Sequence, residues 1–223
     1  MPIQTHKAIF FRDFSSSYIP HILKEMYIDS VYAPYLSHIK DGIVLDVGGN
    51  IGLFTQFAIQ NGAKHVYIVE PAKDHLETIK KFIEFNEYKN VTVLPYALSH
   101  ENGEIDLLHS KNVTAHSTLP GMNNAGTSEK VKTITIDKLM EENKIYRINF
   151  LKLDPEGSEG AIIGSDGFKK VIDKIDSLVV EMHSWGGYNY DQLVNTLRDY
   201  NFSLKKMPTE AYVVGGVKNN VHI

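Results

Sequence analysis

From residue 43 onward, short apolar runs alternate with helical patterns, and this alternation constrains the fold more than any other feature of the chain. Residues 43–47 (IVLDV) follow an Asp41-Gly42 turn and form a near-continuous apolar run, the pattern of a parallel strand covered on both faces. Residues 51–61 read as a helix stopped by Asn61-Gly62. Residues 65–70 (HVYIVE) are the next strand, and Pro71, which has no N–H to donate, ends its ladder. Residues 73–87 carry Leu76, Ile79 and Ile83 at helical spacing, and 91–94 form a third strand. A β-α-β-α-β run predicts a parallel sheet with right-handed crossovers.

The second half is less regular. Residues 103–108 and 131–136 are strand-like and flank a polar stretch, 111–130, that reads as a linker or lid and contains His116. Residues 137–143 read as a short helix with Asp137 as its N-cap. Residues 149–153 and 177–182 are strands, and 167–174 a helix between them. Tyr190, Leu193, Val194 and Leu197 follow helical spacing. Residues 202–206 and 211–214 are expected to close the sheet as an antiparallel pair. One helix, 19–32, precedes the alternation.

Composition narrows the functional classes. The 223 residues suit one domain with an added element. With no cysteine, a disulfide framework, a thiolate-held metal and a cysteine nucleophile are all excluded. The net charge, 23 − 27 = −4, argues against a nucleic-acid footprint spread over the surface. No run reaches the roughly 18 apolar residues of a membrane span. The first residues lack the apolar core of a secretory signal, so a cytoplasmic location is expected.

The turn LDVGGNIG (residues 45–52) lies between the first strand and first helix. Ligands of open α/β sheets bind at the carboxyl ends of strands, and glycine lets them approach the backbone. A dinucleotide turn, G-x-G-x-x-G, needs glycine where Asn50 and Leu53 stand, which disfavours a nicotinamide-dependent oxidoreductase. The spacing Asp46-x-Gly48-x-Asn50-x-Gly52 resembles motif I of class I S-adenosylmethionine-dependent methyltransferases. That resemblance implies that Asp46 and the amides near Gly48 hold the amino-acid part of S-adenosyl-L-methionine. Glu70 ends the second strand, 24 residues after Asp46, where a carboxylate accepts hydrogen bonds from both ribose hydroxyls of an adenosine. The resemblance further implies that Ala97, after the third strand, packs on the adenine.

The most distinctive stretch is KLDPEGSE (152–159), with Asp154, Glu156 and Glu159 within six residues. Carboxylates so close repel one another, and strand-end clusters of this kind suit acid–base work. Glu159 also fits a purely structural role at a helix start. Lys152 shares the Asp154 face of its strand and is expected to pair with an acid.

Together, DVGGNIG (46–52), EP (70–71), KLDPEGSE (152–159) and EMH (181–183) resemble the FkbM family of methyltransferases in order and interval. The departures are Gly49, Pro155 and Ser158; Pro155 matters most, because it fixes φ and removes a donor beside Asp154. The resemblance covers about residues 40–215. It implies a Rossmann-like class I methyltransferase fold: a mostly parallel seven-stranded sheet with helices on both faces and an added antiparallel strand pair. Residues 1–40 would be a helical segment, a possible lid, and 41–223 the S-adenosylmethionine-dependent domain. The cofactor site would comprise Asp46, Gly48, Asn50, Gly52, Glu70, Pro71, Ala97 and Asp154. The implied reaction is methyl transfer to a hydroxyl of a small molecule, a sugar, glycan or natural product, with no nucleic-acid or membrane partner. N-methyl transfer and a non-catalytic cofactor-binding role are the alternatives.

Transfer to an alcohol requires alignment of the oxygen with the methyl–sulfur axis and removal of a proton. His183, emerging at a strand end, is the expected base. Asp154 and Glu156 would orient it or bind acceptor hydroxyls. A divalent cation on the same three residues is the alternative their chemistry allows, though the resemblance requires no metal. Trp185 would wall the acceptor pocket. Tyr18, Tyr27, Tyr32 and Tyr35 are expected to pack the N-terminal segment against the sheet.

Overall fold

The structure is a computed structural model that describes residues 18–110, 116–119, 124–207, 209 and 212–219. Seven strands form its main sheet: β1 (Ile43–Val47), β2 (His65–Val69), β3 (Val91–Leu94), β7 (Phe150–Leu153), β8 (Ser177–Met182), β9 (Phe202–Lys206) and β10 (Tyr212–Lys218). Their order is β3-β2-β1-β7-β8-β10-β9. The first five are mutually parallel. β10 runs antiparallel between β8 and β9, the expected closing pair. Three further strands, β4 (Ala97–Leu98), β5 (Gly103–Ser110) and β6 (Asn124–Ile134), make a smaller sheet in the order β4-β6-β5.

Why the central strands are mostly apolar follows from their two covered faces. Along β7 and β8, alternate residues enter opposite cores. Leu151, Leu153, Leu178 and Val180 pack with Leu139, Phe168 and Leu197. Phe150 and Val179 pack on the other side with Met26, Phe54 and Phe57. The first core is covered by α5 (Ile136–Glu142), α6 (Glu159–Gly164), α7 (Asp166–Val171) and α8 (Tyr190–Asp199), and the second by α1 (Tyr18–Tyr27) and α3 (Leu53–Gln60). α2 (Leu36–Ile39) and α4 (Lys73–Asn86) complete the helices. None of these helices is long and apolar enough to cross a membrane.

Three expectations are corrected, and one helix is added to them. Residues 124–130, read as linker, are strand: β5 supplies their backbone partners, and Lys130 reaches Asp106 at 3.4 Å. Asp137 does not cap α5; Thr135 holds the N-cap position and donates its hydroxyl to Asp137, which sits in the first turn. The N-terminal helix ends at Tyr27 rather than 32, because Ile28 and Asp29 both donate to Lys24 O and Ser30 turns to a φ of 56°. α6 was not foreseen, since Gly160 and Gly164 weaken its helical signal. Gly160 is needed there: a Cβ would lie 2.6 Å from the Tyr188 ring.

The N-terminal segment packs as part of the sheet cover. Tyr32 lies 4.7 Å from Phe54, Tyr35 lies 5.6 Å from Phe150, and Tyr27 donates to Gln60. The side chain of Tyr18 and residues 111–115 and 120–123 of the expected lid lie outside the described residues.

Candidate active site

The carboxyl ends of β1, β2, β7 and β8 open into one cavity of about 580 Å³, walled on another side by α1. This is the size range of small-ligand sites, at the position expected for an open α/β sheet.

One wall is the glycine turn. After β1 the chain reverses through φ values of 72° at Gly48, 51° at Asn50 and 90° at Gly52. Gly48 and Gly49 donate their amides to Val69 O, which ties the turn to β2. Glu70, at the end of β2, is buried and locked in place. Its Oε2 accepts the Asn50 amide at 2.8 Å, and its Oε1 accepts from the Ala72 amide and from His75 Nδ1. Gly48 also touches the end of β7 so closely that a Cβ would lie 1.9 Å from Asp154 O.

Lys152 fastens the same two elements together. Its Nζ donates to Gly48 O at 3.1 Å and to Asp154 Oδ2 at 3.0 Å, and lies 3.8 Å from Asp46 Oδ1. Burial alone would strip its charge, but Asp154 and Asp46 outweigh burial and hold the ammonium above its ordinary pKa. Asp46 is fully buried, bonded to the Thr55 hydroxyl at 2.7 Å. Burial raises its pKa against the pull of Lys152 and Thr55.

The opposite wall holds the acids. His183 follows β8, with its ring 8% exposed. Its Nδ1 donates to Glu159 Oε1 at 2.8 Å. Its Nε2 faces Glu156 Oε2 at 3.5 Å, Glu181 Oε1 at 3.7 Å and Asp154 Oδ1 at 3.8 Å. Burial lowers the histidine pKa, but the Glu159 hydrogen bond and the surrounding carboxylates outweigh it and push it up to about 10. Burial and the Asp154 charge push both Glu156 and Glu181 up to about 8. Glu159 is wholly buried and also accepts the Tyr188 hydroxyl and the Gly157 amide. Trp185 lies 4.6 Å from the His183 ring and donates its indole N–H to Glu156 O.

Of the residues singled out in the sequence, Gly48, Asn50, Glu70, Pro71, Ala97, Asp154, Glu156 and His183 line this one cavity. Asp46 and Gly52 lie behind its wall, bracing the turn. Two residues, Glu181 and Tyr188, escaped notice, and Glu159 takes the structural role weighed for it. Glu181 belongs to the EMH triplet and faces His183; Glu159 and Tyr188 set the His183 ring. A second group, Asp74, His75 and His116, brings three donor atoms within 4.8 Å beside Glu70. Asp154, Glu156 and His183 do the same on the acidic wall.

The strand order and cleft are those of class I methyltransferases. The fold resembles magnesium protoporphyrin IX methyltransferase of Synechocystis, solved with bound S-adenosylmethionine. The TM-score is 0.56 at 12% identity, over 94% of this chain and 86% of that one. It also resembles the FkbM methyltransferase of Methylobacillus flagellatus, with a TM-score of 0.51 at 14% identity; the match covers 77% of this chain but only 42% of the other.

The chain belongs to the FkbM methyltransferase family: the model of the methyltransferase FkbM domain matches residues 46–204. Among characterised relatives, the hexuronic acid methyltransferase AglP of Haloferax volcanii is 28% identical over 186 residues, 81% of this chain and 73% of its own. Methyltransferase 1 of Beauveria bassiana is 27% identical over 187 residues, 74% of this chain and 73% of its own.

Proposed function

We propose that this protein transfers the methyl group of S-adenosyl-L-methionine to a hydroxyl of a sugar acid or a glycan carrying one. The observation that carries this reading is a single cavity joining the glycine turn and Glu70 to Asp154, Glu156 and His183. Support for the acceptor class comes from the relative that methylates a hexuronic acid.

Glu70 offers a fixed carboxylate to the ribose hydroxyls, Gly48 and Asn50 face the methionine part, and Ala97 and Pro71 flank the adenine. The acceptor oxygen attacks the methyl carbon in line with the carbon–sulfur bond. A carbon–oxygen bond forms, and the carbon–sulfur pair returns to sulfur as the neutral thioether. The hydroxyl proton passes to the carboxylates gathered around His183 Nε2. His183, pushed up to about 10, donates through Nδ1 to Glu159 and turns Nε2 toward the facing acids. α1, with His21 and Glu25 on the cavity wall, and Tyr32 just after it shield the acceptor from water.

Two measurements test the reading. Calorimetry with S-adenosylhomocysteine must give saturable binding, and NAD(H) must give none. Mass spectrometry of a panel of uronic acids and uronic-acid glycans must then show one added methyl on oxygen; transfer to amine acceptors alone would replace it with N-methylation.

A further inference from the structure

We propose that Asp154, Glu156 and His183, with Glu181 beside them, form a divalent-cation site on the acceptor side of the cavity, for an ion of the magnesium or manganese class. The proposal deepens the O-methyl transfer reading, and the role it gives the ion rests on that reading.

Geometry comes first. One donor atom from each of Asp154, Glu156 and His183 lies within 4.8 Å of the others. The His183 Nε2 distances to the carboxylate oxygens, 3.5 Å to Glu156, 3.7 Å to Glu181 and 3.8 Å to Asp154, are too long for hydrogen bonds. They match the spacing of ligands around one ion, since bonds of about 2.0–2.2 Å put neighbouring ligands roughly 3–4 Å apart.

The histidine is also built as a ligand. Its ring is more than nine-tenths buried, and Nε2 makes no hydrogen bond. Its other nitrogen donates to Glu159, which in turn accepts from Tyr188 and Gly157. A carboxylate behind the distal nitrogen of a histidine is the usual support of a metal-bound imidazole, because it fixes tautomer and ring orientation.

A third observation is independent of the histidine. Asp154 Oδ1 is buried and has no hydrogen-bond partner, although its other oxygen is held by Lys152. Such an orphaned acceptor costs free energy unless a cation sits against it. Three carboxylates, Asp154, Glu156 and Glu181, surround the point, with Lys152 the one ammonium in contact among the described residues. A donor set of carboxylates with one imidazole favours hard ions over soft ones. In the proposed reaction the ion would draw in two acceptor oxygens and lower the pKa of the hydroxyl to be methylated.

The test uses the full chain, stripped with EDTA, titrated with Mn²⁺ and followed by the electron paramagnetic resonance of the free ion. The expected result is one saturable site, weakened at least about tenfold by Asp154→Asn and by His183→Ala, and unchanged by His116→Ala. Circular dichroism of each variant checks that it folds. No saturable binding by the folded wild type overturns the proposal, as does binding that Asp154→Asn leaves intact. Binding lost in His116→Ala instead moves the ion to the Asp74–His75–His116 group and overturns it too. S-adenosylhomocysteine calorimetry on the same stripped protein separates the two readings. Cofactor binding without Mn²⁺ binding sinks the cation site alone; the reverse sinks the cofactor assignment alone.

Discussion

Glu159 Oε1 accepts a hydrogen bond from His183 Nδ1 at 2.8 Å, and Glu159 is fully buried. The pair links α6 to the end of β8 and sets the angle of the ring that faces the acids. Glu159→Ala removes the acceptor of His183, Tyr188 and Gly157 together. Breaking a buried charged pair costs about 3–5 kcal/mol, or roughly 6–20 °C of melting temperature in a domain of this size. Thermal unfolding measures it, and a change below about 2 °C would show that the pair is not structural.

Gly48 tests the junction of β1 and β7. An alanine there faces a φ of 72° and a Cβ 1.9 Å from Asp154 O, which is backbone and has no rotamer to yield. Gly48→Ala should destabilise the fold by about 2 kcal/mol or more and displace Asp154. Gly126→Ala is the comparison: its φ is also positive, at 77°, but its Cβ would meet nothing within 4 Å. Equal losses in the two variants would show that the contact with Asp154 contributes nothing.

How much of this was legible in the sequence depended on where the information lay. The β1–α3–β2–α4–β3 run was readable because buried parallel strands are apolar on both faces, as Val44 and Leu45 are. The strand-end positions of Glu70, Asp154 and His183 followed from the same pattern. The smaller sheet was readable only in part: residues 103–108 and 131–134 read as strand, but β6 is polar over residues 124–130, and only its pairing with β5 makes that stretch a strand. The partnership of Glu159 with His183 was not readable. It lies 24 residues from His183, and only the packing of α6 under β8 brings them together. The resting charge of His183 depends on four carboxylates from two chain segments, so its expected role as a free base could not be weighed from the residue alone.

Glu70 and His183 should separate cofactor binding from acceptor chemistry. Glu70→Gln removes a carboxylate that holds the turn and, in the proposed complex, two ribose hydroxyls. Hydrogen bonds to a charged group contribute about 1.5–3 kcal/mol, so S-adenosylhomocysteine should bind roughly 10–100-fold more weakly. His183→Ala should change the same affinity less than about threefold while removing methyl transfer. Calorimetry that gives equal losses for the two variants would undo this division of roles.

The acidic wall also sets a pH dependence. Burial and neighbouring charge raise Glu156 and Glu181 from 4.5 to about 8, and the Glu159 hydrogen bond and nearby acids raise His183 from 6.5 to about 10. All three values are higher folded than unfolded, so the folded state holds more protons and stability falls as pH rises. His38, His65 and His116, lowered chiefly by burial, work in the opposite sense, but only below their unfolded value of 6.5. Between about pH 7 and about pH 9 they are neutral in both states and do not mask the trend. The melting temperature of EDTA-stripped protein should therefore decline across that window, most steeply at its lower end and more gently once the two glutamates ionise in the folded state near pH 8. Glu181→Gln removes one of those ionisations and relieves the other, so its decline should be shallower. A wild-type melting temperature that holds level or rises over this window would mean that the carboxylates are not crowded as described.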